Sequence, residues 1–544
     1  MTGRSNAGPS VPPYAERRRQ IESEPLPRNI GALVDDAASA APDRLAWDFF
    51  ESNERITYSA LKERVDRLAA GLAQAGVGKG SHVGVMLPNV AAFPLTWLAL
   101  ARLGAVMIPL NVGYTPREMS YVVCDAEAEF LVIDEGRLST LAALPERPCA
   151  LSDDRVFVVG SPGAGQRRWD ALFEGEDSLP RHEDVGHDDL LNIQYTSGTT
   201  GFPKGCMLTQ RYWLTIGKVN ARRDGVVYER ILASTPFFYM DPQWLLMMSF
   251  YQRATLYVAM RQSASRFMDW VRAHRIQFAL FPEVVYKQPP SPRDRDNEVI
   301  RVNVYGLNRT IHAALEERFG FVVREAFGMT EVGSGLFMPI EAADMVGSGS
   351  CGVPSPFREA RIADSDGTPV ATGAIGELLL RGPGMLRGYY RKPDATAAAF
   401  HGEWFRTGDL FRRDGRGYYY IVGRVKEMIR RAGENISARE VEAVLREMPE
   451  IVEAAAVPVP DATRGEEVKV FVVLRTGLGR DDVPPPRIVA HCEASLARFK
   501  VPRYVAYIDR LPKTPSEKIA KHLLVGPPHA SLPTFDRVES RWLS

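Results

Sequence analysis

Hydrophobic positions from Leu45 onward alternate between short, fully apolar runs and longer runs with an apolar residue every three or four positions. The short runs at residues 83–87, 106–110 and 130–133 predict buried strands. The segment after Ser59 repeats apolar residues at helical spacing, and Ser59 is the expected N-cap of that helix. Strands that alternate with helices predict a parallel sheet covered on both faces.

This pattern changes twice along the chain. Residues 352–423 carry short strands between glycines, and residues 370–380 predict a hairpin. Residues 426–544 predict a separate α+β domain. The predicted fold class is therefore α/β, with a large N-terminal domain of parallel sheets flanked by helices over residues 29–425, a β-rich subdomain within it, and a small, mobile C-terminal α+β domain. Residues 1–28 are rich in Pro, Ser, Gly and Arg and predict a loose arm, with the charged run at 16–19 as a solvated face.

Composition narrows the function classes. The 544 residues are 45% hydrophobic and 25% charged with a formal net charge of zero, so nothing favours nucleic acid or an anionic membrane as partner. Five scattered cysteines without a C-x-x-C pair predict neither a zinc site nor disulfides, and favour the cytoplasm. The most apolar stretch, residues 90–110, is broken by Pro94 and Arg102, and predicts a buried helix and strand with no membrane span.

The candidate chemistry begins with the segment YTSGTTGFPKG at residues 195–205. Glycines let the backbone approach a ligand, hydroxyls supply donors, and Lys204 adds a positive charge. The segment predicts a loop that holds the oxygens of a nucleotide polyphosphate. It is not a Walker A loop, because Pro203 stands five residues after Gly198. The alternative reading is an ordinary polar surface loop.

Four further stretches carry candidate groups, each weak by itself. Thr330-Glu331 offers a carboxylate for Mg²⁺, and Asp409 follows a strand where a carboxylate can accept ribose hydroxyls. Gly423-Arg424-Val425-Lys426 precedes Gly433, and Lys518 lies near the C-terminal end. Taken singly, these are more often a polar loop, a turn aspartate and a solvated surface lysine.

In this order the five stretches resemble the adenylate-forming superfamily of acyl-CoA synthetases, luciferases and peptide-synthetase adenylation domains. The resemblance covers about residues 30–525. It implies an ATP-phosphate grip formed by Thr196, Ser197, Gly198, Thr199, Thr200, Gly201 and Lys204. It implies an adenine pocket at Gly306, Glu325, Ala326 and Phe327, and ribose contacts at Asp409 and Arg424.

The resemblance also implies roles for the charged groups and for the acid pocket. Thr330 contacts the α-phosphate, Glu331 holds Mg²⁺, and Lys518 bridges the carboxylate, ribose and α-phosphate during adenylation. Lys426 is the hinge between the two domains, and Gly433 borders the pantetheine tunnel. The acid pocket is implied at Tyr239, Met240, Asp241, Trp244, Gly328 and Met329.

The implied activity has two half-reactions. A carboxylic acid attacks ATP to form an acyl-adenylate with release of pyrophosphate, and a thiol then displaces AMP. ATP, Mg²⁺ and CoA are therefore the implied cofactors and co-substrates. Three residues depart from the family pattern: Phe327 replaces Tyr, Tyr239 replaces the His that gates the acid pocket, and Glu517 replaces the Gly before Lys518. None of the three removes a principal charge.

Several choices stay open in the sequence. A bulky hydrophobic or cyclic acid is the first hypothesis for the substrate. A betaine is the second, because the acid segment resembles that of carnitine- and crotonobetaine-CoA ligases and its aromatic rings with Asp241 suit a quaternary ammonium.

The few residues after Lys518 favour free CoA over a carrier protein as acceptor, with a carrier-loading enzyme of secondary metabolism as the alternative. A non-catalytic nucleotide-binding protein is the third hypothesis. The oligomeric state, monomer or homodimer, is not indicated.

Overall fold

The computed structural model describes residues 12–174, 184–196, 203–425, 428–431, 434–461, 464–496, 498–514, 518–527 and 529–543. The chain forms two compact units. The first comprises residues up to 196, residues 203–360 and residues 380–403. The second comprises residues 361–379 and the chain from 404 onward. The domain boundaries predicted from the sequence, at 29, 352 and 426, stay predictions.

The first half of the first unit alternates strands and helices. Its helices α1 to α6 span Tyr14–Ser23, Ile30–Ala40, Tyr58–Gln74, Ala92–Leu103, Pro116–Asp125 and Leu138–Ala142. Its strands β1 to β9 span Leu45–Phe49, Glu54–Thr57, His82–Met86, Val106–Pro109, Phe130–Asp134, Val156–Val159, Arg167–Arg168, Leu190–Thr196 and Lys204–Thr209.

The second half of that unit continues the alternation. Helices α7 to α10 span Gln210–Arg222, Met240–Gln252, Phe267–Ala273 and His312–Phe319. Strands β10 to β16 span Arg230–Ala233, Thr255–Val258, Phe278–Leu280, Arg301–Val304, Val322–Met329, Gly333–Phe337 and Val353–Pro354.

The rest of the chain is richer in strands. Strands β17 to β21 span Glu359–Ala363, Ile375–Arg381, Phe400–His401, Trp404–Arg413 and Tyr419–Arg424, with helix α11 at Pro393–Ala398. Strands β22 to β28 span Met428–Arg431, Glu434–Ser437, Ile451–Asp461, Gly465–Leu474, Tyr504–Tyr507, Thr534–Asp536 and Arg541–Leu543. Helices α12 and α13 span Ala438–Leu445 and Pro485–Ser495.

Two sheets organise the first unit. One has the order β16-β15-β14-β13-β12-β10-β11-β1-β2, and the other has the order β7-β6-β5-β3-β4-β8-β9. Neighbours from β14 to β1 and from β7 to β8 are parallel, whereas the outer strands β15, β16, β2 and β9 are antiparallel. The predicted α/β class with helix-covered parallel sheets is confirmed.

Burial explains why the apolar runs form strands. All four residues of β4 and all twelve of α4 are buried, as a strand and a helix inside a parallel α/β layer must be. Arg102 near the end of α4 is buried because it forms ion pairs with Asp35 and Asp66. Helices α7 and α8 pack closely at Gly217, where a Cβ would lie 2.5 Å from Met247 Cβ.

The second unit has its own core. Strands β22 to β28 form a sheet in which β25 pairs with β22, β24 and β26. Helices α12 and α13 cover it, with Val441, Leu445 and Ile488 in the apolar cluster beneath them. A further sheet contains β17, β18 and β20, with β21 beside β20. Across the part of the chain that the structure describes, no helix is long and apolar enough to cross a membrane.

The expectation of a loose N-terminal arm is wrong for residues 14–23, which form α1. Arg17 is 4% exposed, so it is not on a solvated face. Its Nε donates to the carbonyl of Arg223 at 2.9 Å, and its Nη2 forms an ion pair with Glu341 at 2.9 Å. The Tyr14 hydroxyl donates to the carbonyl of Pro354 at 2.6 Å. Polar tertiary contacts therefore hold a helix that has little apolar surface.

Two local predictions also change. The N-cap of α3 is Thr57 and not Ser59, because the Thr57 hydroxyl accepts the Ala60 N–H at 3.3 Å. The hairpin predicted at residues 370–380 is wrong, since that segment holds one strand, β18, whose sheet neighbours are β17 and β20. Gly373 has φ +87° and belongs to the turn that precedes β18.

Replacing Arg17 tests the anchoring of α1. We expect Arg17→Met to keep the aliphatic stem but lower the free energy of unfolding by about 1–3 kcal/mol, because the Glu341 carboxylate and a buried carbonyl lose their donor. Chemical denaturation measures the change. Arg19→Met on the exposed face of the same helix is the control, with an expected effect within about 0.5 kcal/mol. Equal effects of the two substitutions would contradict the anchoring role.

Candidate active site

The ends of the predicted phosphate loop are held by two antiparallel strands. Strand β8 ends at Thr196 and β9 begins at Lys204, and these two residues are partners in the ladder. The Thr196 hydroxyl lies 3.5 Å from the Lys204 carbonyl oxygen. Ser197, Gly198, Thr199, Thr200 and Gly201 lie outside the described residues, so their role as phosphate ligands stays a prediction.

Tyr389 joins two of the predicted charged groups. Its hydroxyl donates to Glu331 Oε1 at 3.0 Å, and its ring lies 4.4 Å from Lys204 Nζ. An ammonium over the face of an aromatic ring is attracted by the negative π cloud. Burial and the Glu331 carboxylate raise the pKa of Tyr389 above its usual range, so the hydroxyl stays protonated and remains a donor. One tyrosine thus positions a cation and a carboxylate.

The turn that carries Thr330 and Glu331 connects β14 to β15. A Cβ at Gly328 would lie 2.6 Å from the Gly333 carbonyl oxygen, so the two strands approach too closely for a side chain there. The hydroxyl of Tyr212, in α7, donates to the Thr330 carbonyl at 2.9 Å. The backbone N–H of Leu386 donates to the Glu331 carbonyl at 2.8 Å. These contacts fix a turn whose Glu331 side chain is largely buried.

The predicted adenine residues lie at the carboxyl ends of two neighbouring parallel strands. Val304 of β13 pairs with Glu325 of β14, and the Glu325 carboxylate accepts the Gly306 N–H at 3.0 Å. Gly306 has φ +73°, a conformation that favours glycine. Ala326 is buried and Phe327 is half-buried. The structure therefore brings these residues together at one edge of the sheet, where ligands of open α/β sheets bind.

The predicted acid residues cluster around the start of α8. Tyr239 precedes the helix, and its ring lies 4.7 Å from that of Phe238 in an edge-to-face contact. The Trp244 indole N–H donates to Asp241 Oδ1 at 3.2 Å, and Trp244 is almost fully buried. The Tyr212 hydroxyl lies 3.9 Å from Met240 Sδ.

Tyr212 therefore contacts both the acid segment and the turn at Thr330. Met329 and Gly328 belong to β14 immediately before that turn, with Met329 half-buried and Gly328 exposed.

The predicted ribose residues belong to the second unit. Asp409 of β20 and Arg424 of β21 are partners across an antiparallel ladder. Arg424 Nε donates to Asp409 Oδ1 at 3.0 Å. Asp409 is 2% exposed, and its N–H donates to the Thr407 hydroxyl at 3.1 Å. The structure brings these two side chains together, while their contact with ribose stays a prediction.

Lys518, in the second unit, forms two hydrogen bonds with Thr514. The N–H of Thr514 donates to the Lys518 carbonyl at 2.7 Å, and the Lys518 N–H donates to the Thr514 hydroxyl at 3.3 Å. Its side chain is exposed. Two nearby lysines are bound elsewhere: Lys513 pairs with Glu453 at 3.0 Å, and Lys521 pairs with Glu442 at 2.6 Å. The predicted residues Lys426 and Gly433, and the departure Glu517, lie outside the described residues.

The carboxylate chemistry suits Mg²⁺. Within the described ranges no group of three or more His, Cys, Asp or Glu side chains is arranged to hold a metal. Mg²⁺ in nucleotide enzymes uses one or two protein carboxylates and takes its other ligands from phosphates and water. Glu331, a single carboxylate oriented by a tyrosine hydroxyl, fits that pattern. When bound, the ion would neutralise charge on the phosphates.

Sequence reasoning missed Tyr389 and Tyr212. Both are uncharged, and each reaches its partner across a long sequence separation, so neither stands out in a motif search. Burial raises the pKa of Tyr212 well above its usual range, which keeps this hydroxyl a donor as well. The available signal was the position of Tyr389 directly after Gly388, at the end of the glycine-punctuated β-rich stretch.

Comparison with known proteins identifies the class of enzyme to which this fold belongs. The model of the AMP-binding enzyme family matches residues 34–390, and that of the AMP-binding enzyme C-terminal domain matches residues 440–518. The chain therefore belongs to the AMP-binding enzyme family.

Individual relatives match over nearly their whole length. The chain is 33% identical to a sulfoacetate–CoA ligase of Cupriavidus necator, covering 91% of this chain and 97% of the relative. It is 33% identical to a feruloyl-CoA synthase of Amycolatopsis (86% and 92%) and 30% identical to a crotonobetaine/carnitine–CoA ligase of Proteus mirabilis (91% and 99%). ATP-bound MatB from Rhodopseudomonas palustris superposes with a TM-score of 0.80 at 27% identity, covering 91% of this chain and 98% of that one.

These relatives bear out the reaction class. The chain is an AMP-forming acid–CoA ligase, whose substrates are a carboxylic acid, ATP and CoA and whose intermediate is an acyl-adenylate. The carrier-loading alternative is not favoured, and a non-catalytic nucleotide-binding protein does not fit this class.

Tyr389→Phe separates the two contacts of Tyr389. The ring remains to contact Lys204, but the Glu331 carboxylate loses the hydrogen bond that it accepts from Tyr389. A hydrogen bond to a charged acceptor typically contributes about 1.5–3 kcal/mol. We expect adenylation to slow by about tenfold or more and the apparent KM for Mg²⁺ to rise. Pyrophosphate release at varied Mg²⁺ and fixed ATP measures both.

Tyr390→Phe is the control, because that neighbouring hydroxyl donates to Glu127 at 2.6 Å instead. An unchanged Mg²⁺ dependence in Tyr389→Phe, or the same change in the control, would show that Tyr389 does not act through Glu331.

Proposed function

We propose that this ligase activates a bulky hydrophobic or cyclic carboxylic acid. The observation that supports the proposal is the composition of the segment at the start of α8, where Tyr239, Met240 and Trp244 present rings and a thioether, and Asp241 accepts the Trp244 indole N–H. Among these four side chains only Asp241 is charged, and it is engaged by the indole. Methionine adapts to irregular shapes, which suits a large apolar acid.

A betaine-type acid is the second candidate. The same rings with Asp241 suit a quaternary ammonium, and a crotonobetaine/carnitine–CoA ligase is among the relatives at 30% identity. Relatives of equal or greater identity are named for sulfoacetate and for feruloyl-CoA. Overall sequence identity to the relatives therefore does not identify the acid. The proposal rests on the side chains at the start of α8.

The roles of the nucleotide-binding residues form part of the proposal. Lys204 and the loop from Thr196 hold the β- and γ-phosphates, and Thr330 contacts the α-phosphate. Gly306 and residues 325–327 line the adenine site, and Asp409 with Arg424 binds the ribose.

In the first half-reaction an oxygen of the acid attacks the α-phosphorus, and the bond to pyrophosphate breaks. Lys518 and Lys204 reduce the repulsion between the carboxylate and the polyphosphate. In the second, the CoA sulfur attacks the acyl carbon and AMP leaves. The resemblance assigns Lys426 to a hinge between these steps and Gly433 to the pantetheine tunnel. A cytoplasmic location and a monomeric or homodimeric state are part of the same proposal.

A panel of acids tests the substrate class. We expect aromatic and cyclic acids to give kcat/KM values about tenfold or more above those of carnitine and crotonobetaine, a difference that apolar contacts in a pocket supply. Formation of acyl-CoA from each acid, ATP and CoA is measured by mass spectrometry. Turnover of the betaines alone would replace the first candidate with the second.

Lys518→Ala tests the division of labour between the half-reactions. We expect pyrophosphate release to fall by about 10²–10³-fold, the usual cost of removing one electrostatic contact to a transition state. Thioester formation from synthetic acyl-adenylate should be largely retained.

The matched control is Lys513→Ala, which removes a nearby lysine that pairs with Glu453. Equal losses in both half-reactions of Lys518→Ala would argue against a role confined to adenylation.

A further inference from the structure

A buried amide network lies behind the predicted acid segment. Gln243, in the first turn of α8, is fully buried. Its Nε2 donates to the carbonyls of Phe237 at 2.8 Å and of Tyr239 at 3.2 Å. Its Oε1 accepts from Asn192 Nδ2 at 3.0 Å. The donated bonds of this amide are therefore directed at the segment that precedes α8, and its oxygen accepts from strand β8.

The network continues along β8. Asn192 Oδ1 accepts the Trp97 indole N–H at 2.9 Å, which fixes the orientation of the Asn192 amide. Gln194 lies two residues further on the same face of the strand, and its Nε2 donates to the Phe238 carbonyl at 2.8 Å. Three consecutive carbonyls, from 237 to 239, thus each accept a hydrogen bond from a buried glutamine.

Holding three consecutive carbonyls fixes the peptide planes on both sides of Phe238. The N–H of Phe237 is also bound, to Asn89 Oδ1 at 2.8 Å. The direction of the Cα–Cβ bond of Tyr239 is then set by the backbone. The Tyr239 hydroxyl accepts a hydrogen bond from Asn111 Nδ2 at 3.4 Å.

We propose that Gln243 is a positioning residue that sets the acid selectivity of the enzyme by holding Tyr239 at a fixed place in the pocket wall. This inference rests on the proposed function, in which Tyr239 borders the acid. Gln243 acts through the backbone and does not touch the substrate. Its partner Asn192 lies on β8, which ends at Thr196. The position of the pocket wall is therefore fixed relative to the strand that leads into the phosphate loop.

The chain offers a matched control for this residue. Gln252 lies at the other end of α8 and is also buried. Its amide donates to the carbonyls of Ala221 and Val226 and accepts the Tyr228 N–H. Gln252 thus makes the same number of bonds, to backbone groups in the last turn of α7 and in the segment that leads to β10, away from residues 237–239.

The test compares Gln243→Leu with Gln252→Leu. Both should lower the melting temperature by similar amounts, since each removes three hydrogen bonds to buried backbone or amide groups. For the smallest and the bulkiest acid that the native enzyme accepts, the ratio of kcat/KM values should shift by about tenfold toward the bulkier acid in Gln243→Leu. It should stay within about twofold in Gln252→Leu, a change too small to indicate altered contacts in the pocket. The KM for ATP should be unchanged in both variants.

Gln194→Met gives a milder second measurement if Gln243→Leu does not fold, because it removes the donor to the Phe238 carbonyl. It should shift the same ratio in the same direction. An unshifted ratio in a folded, active variant of Gln243 or Gln194 overturns the inference, as does an equal shift in Gln252→Leu. Failure of the native enzyme to convert any bulky hydrophobic or cyclic acid to its acyl-adenylate would instead overturn the proposed function, so the two failures are distinct.

Discussion

Electrostatic repulsion between a carboxylate and a polyphosphate is the constraint around which this enzyme is built. Neither reactant can approach the other unless positive charge is held in place beforehand. In the first unit Tyr389 does part of this work, because its ring faces the Lys204 ammonium and its hydroxyl binds Glu331. This neutral side chain orients a cation through its ring and a carboxylate through its hydroxyl, and it adds no charge of its own.

Two segments near the candidate site are held by the same principle. Hydroxyls and amides that stay neutral bind backbone carbonyls from inside the protein: Tyr212 binds the turn at Thr330, and Gln243 with Gln194 binds the segment before α8. Burial raises the pKa of Tyr212, so this donor persists across the pH range in which a ligase works. Rigid, uncharged supports leave the few charged groups available to the substrates.

The sequence predicted the parallel sheets because β4 and most of β5 and α4 are apolar, and it singled out the charged candidate residues because Lys204, Glu331, Asp409 and Lys518 stand in spaced motifs. It did not predict α1, whose ten residues bury only Arg17 and Ile21 and depend on an ion pair and a hydrogen bond formed across more than three hundred positions. Thr57 and Ser59 are both good capping residues, and only the backbone geometry selects Thr57. Tyr389 and Gln243 escaped because their roles lie in partners that no local pattern reveals.

The amide network of α8 also has a consequence for protein engineering. Suppose that residues 239–244 of this enzyme are transferred into another ligase. Gln243 would then move without Asn192 and Trp97, the two residues that orient its amide. The transferred loop would then lack the hydrogen-bond partners that fix its backbone here. In this enzyme the smallest transferable unit is the loop together with β8 and the indole of α4, three pieces that are adjacent in space and far apart in the gene.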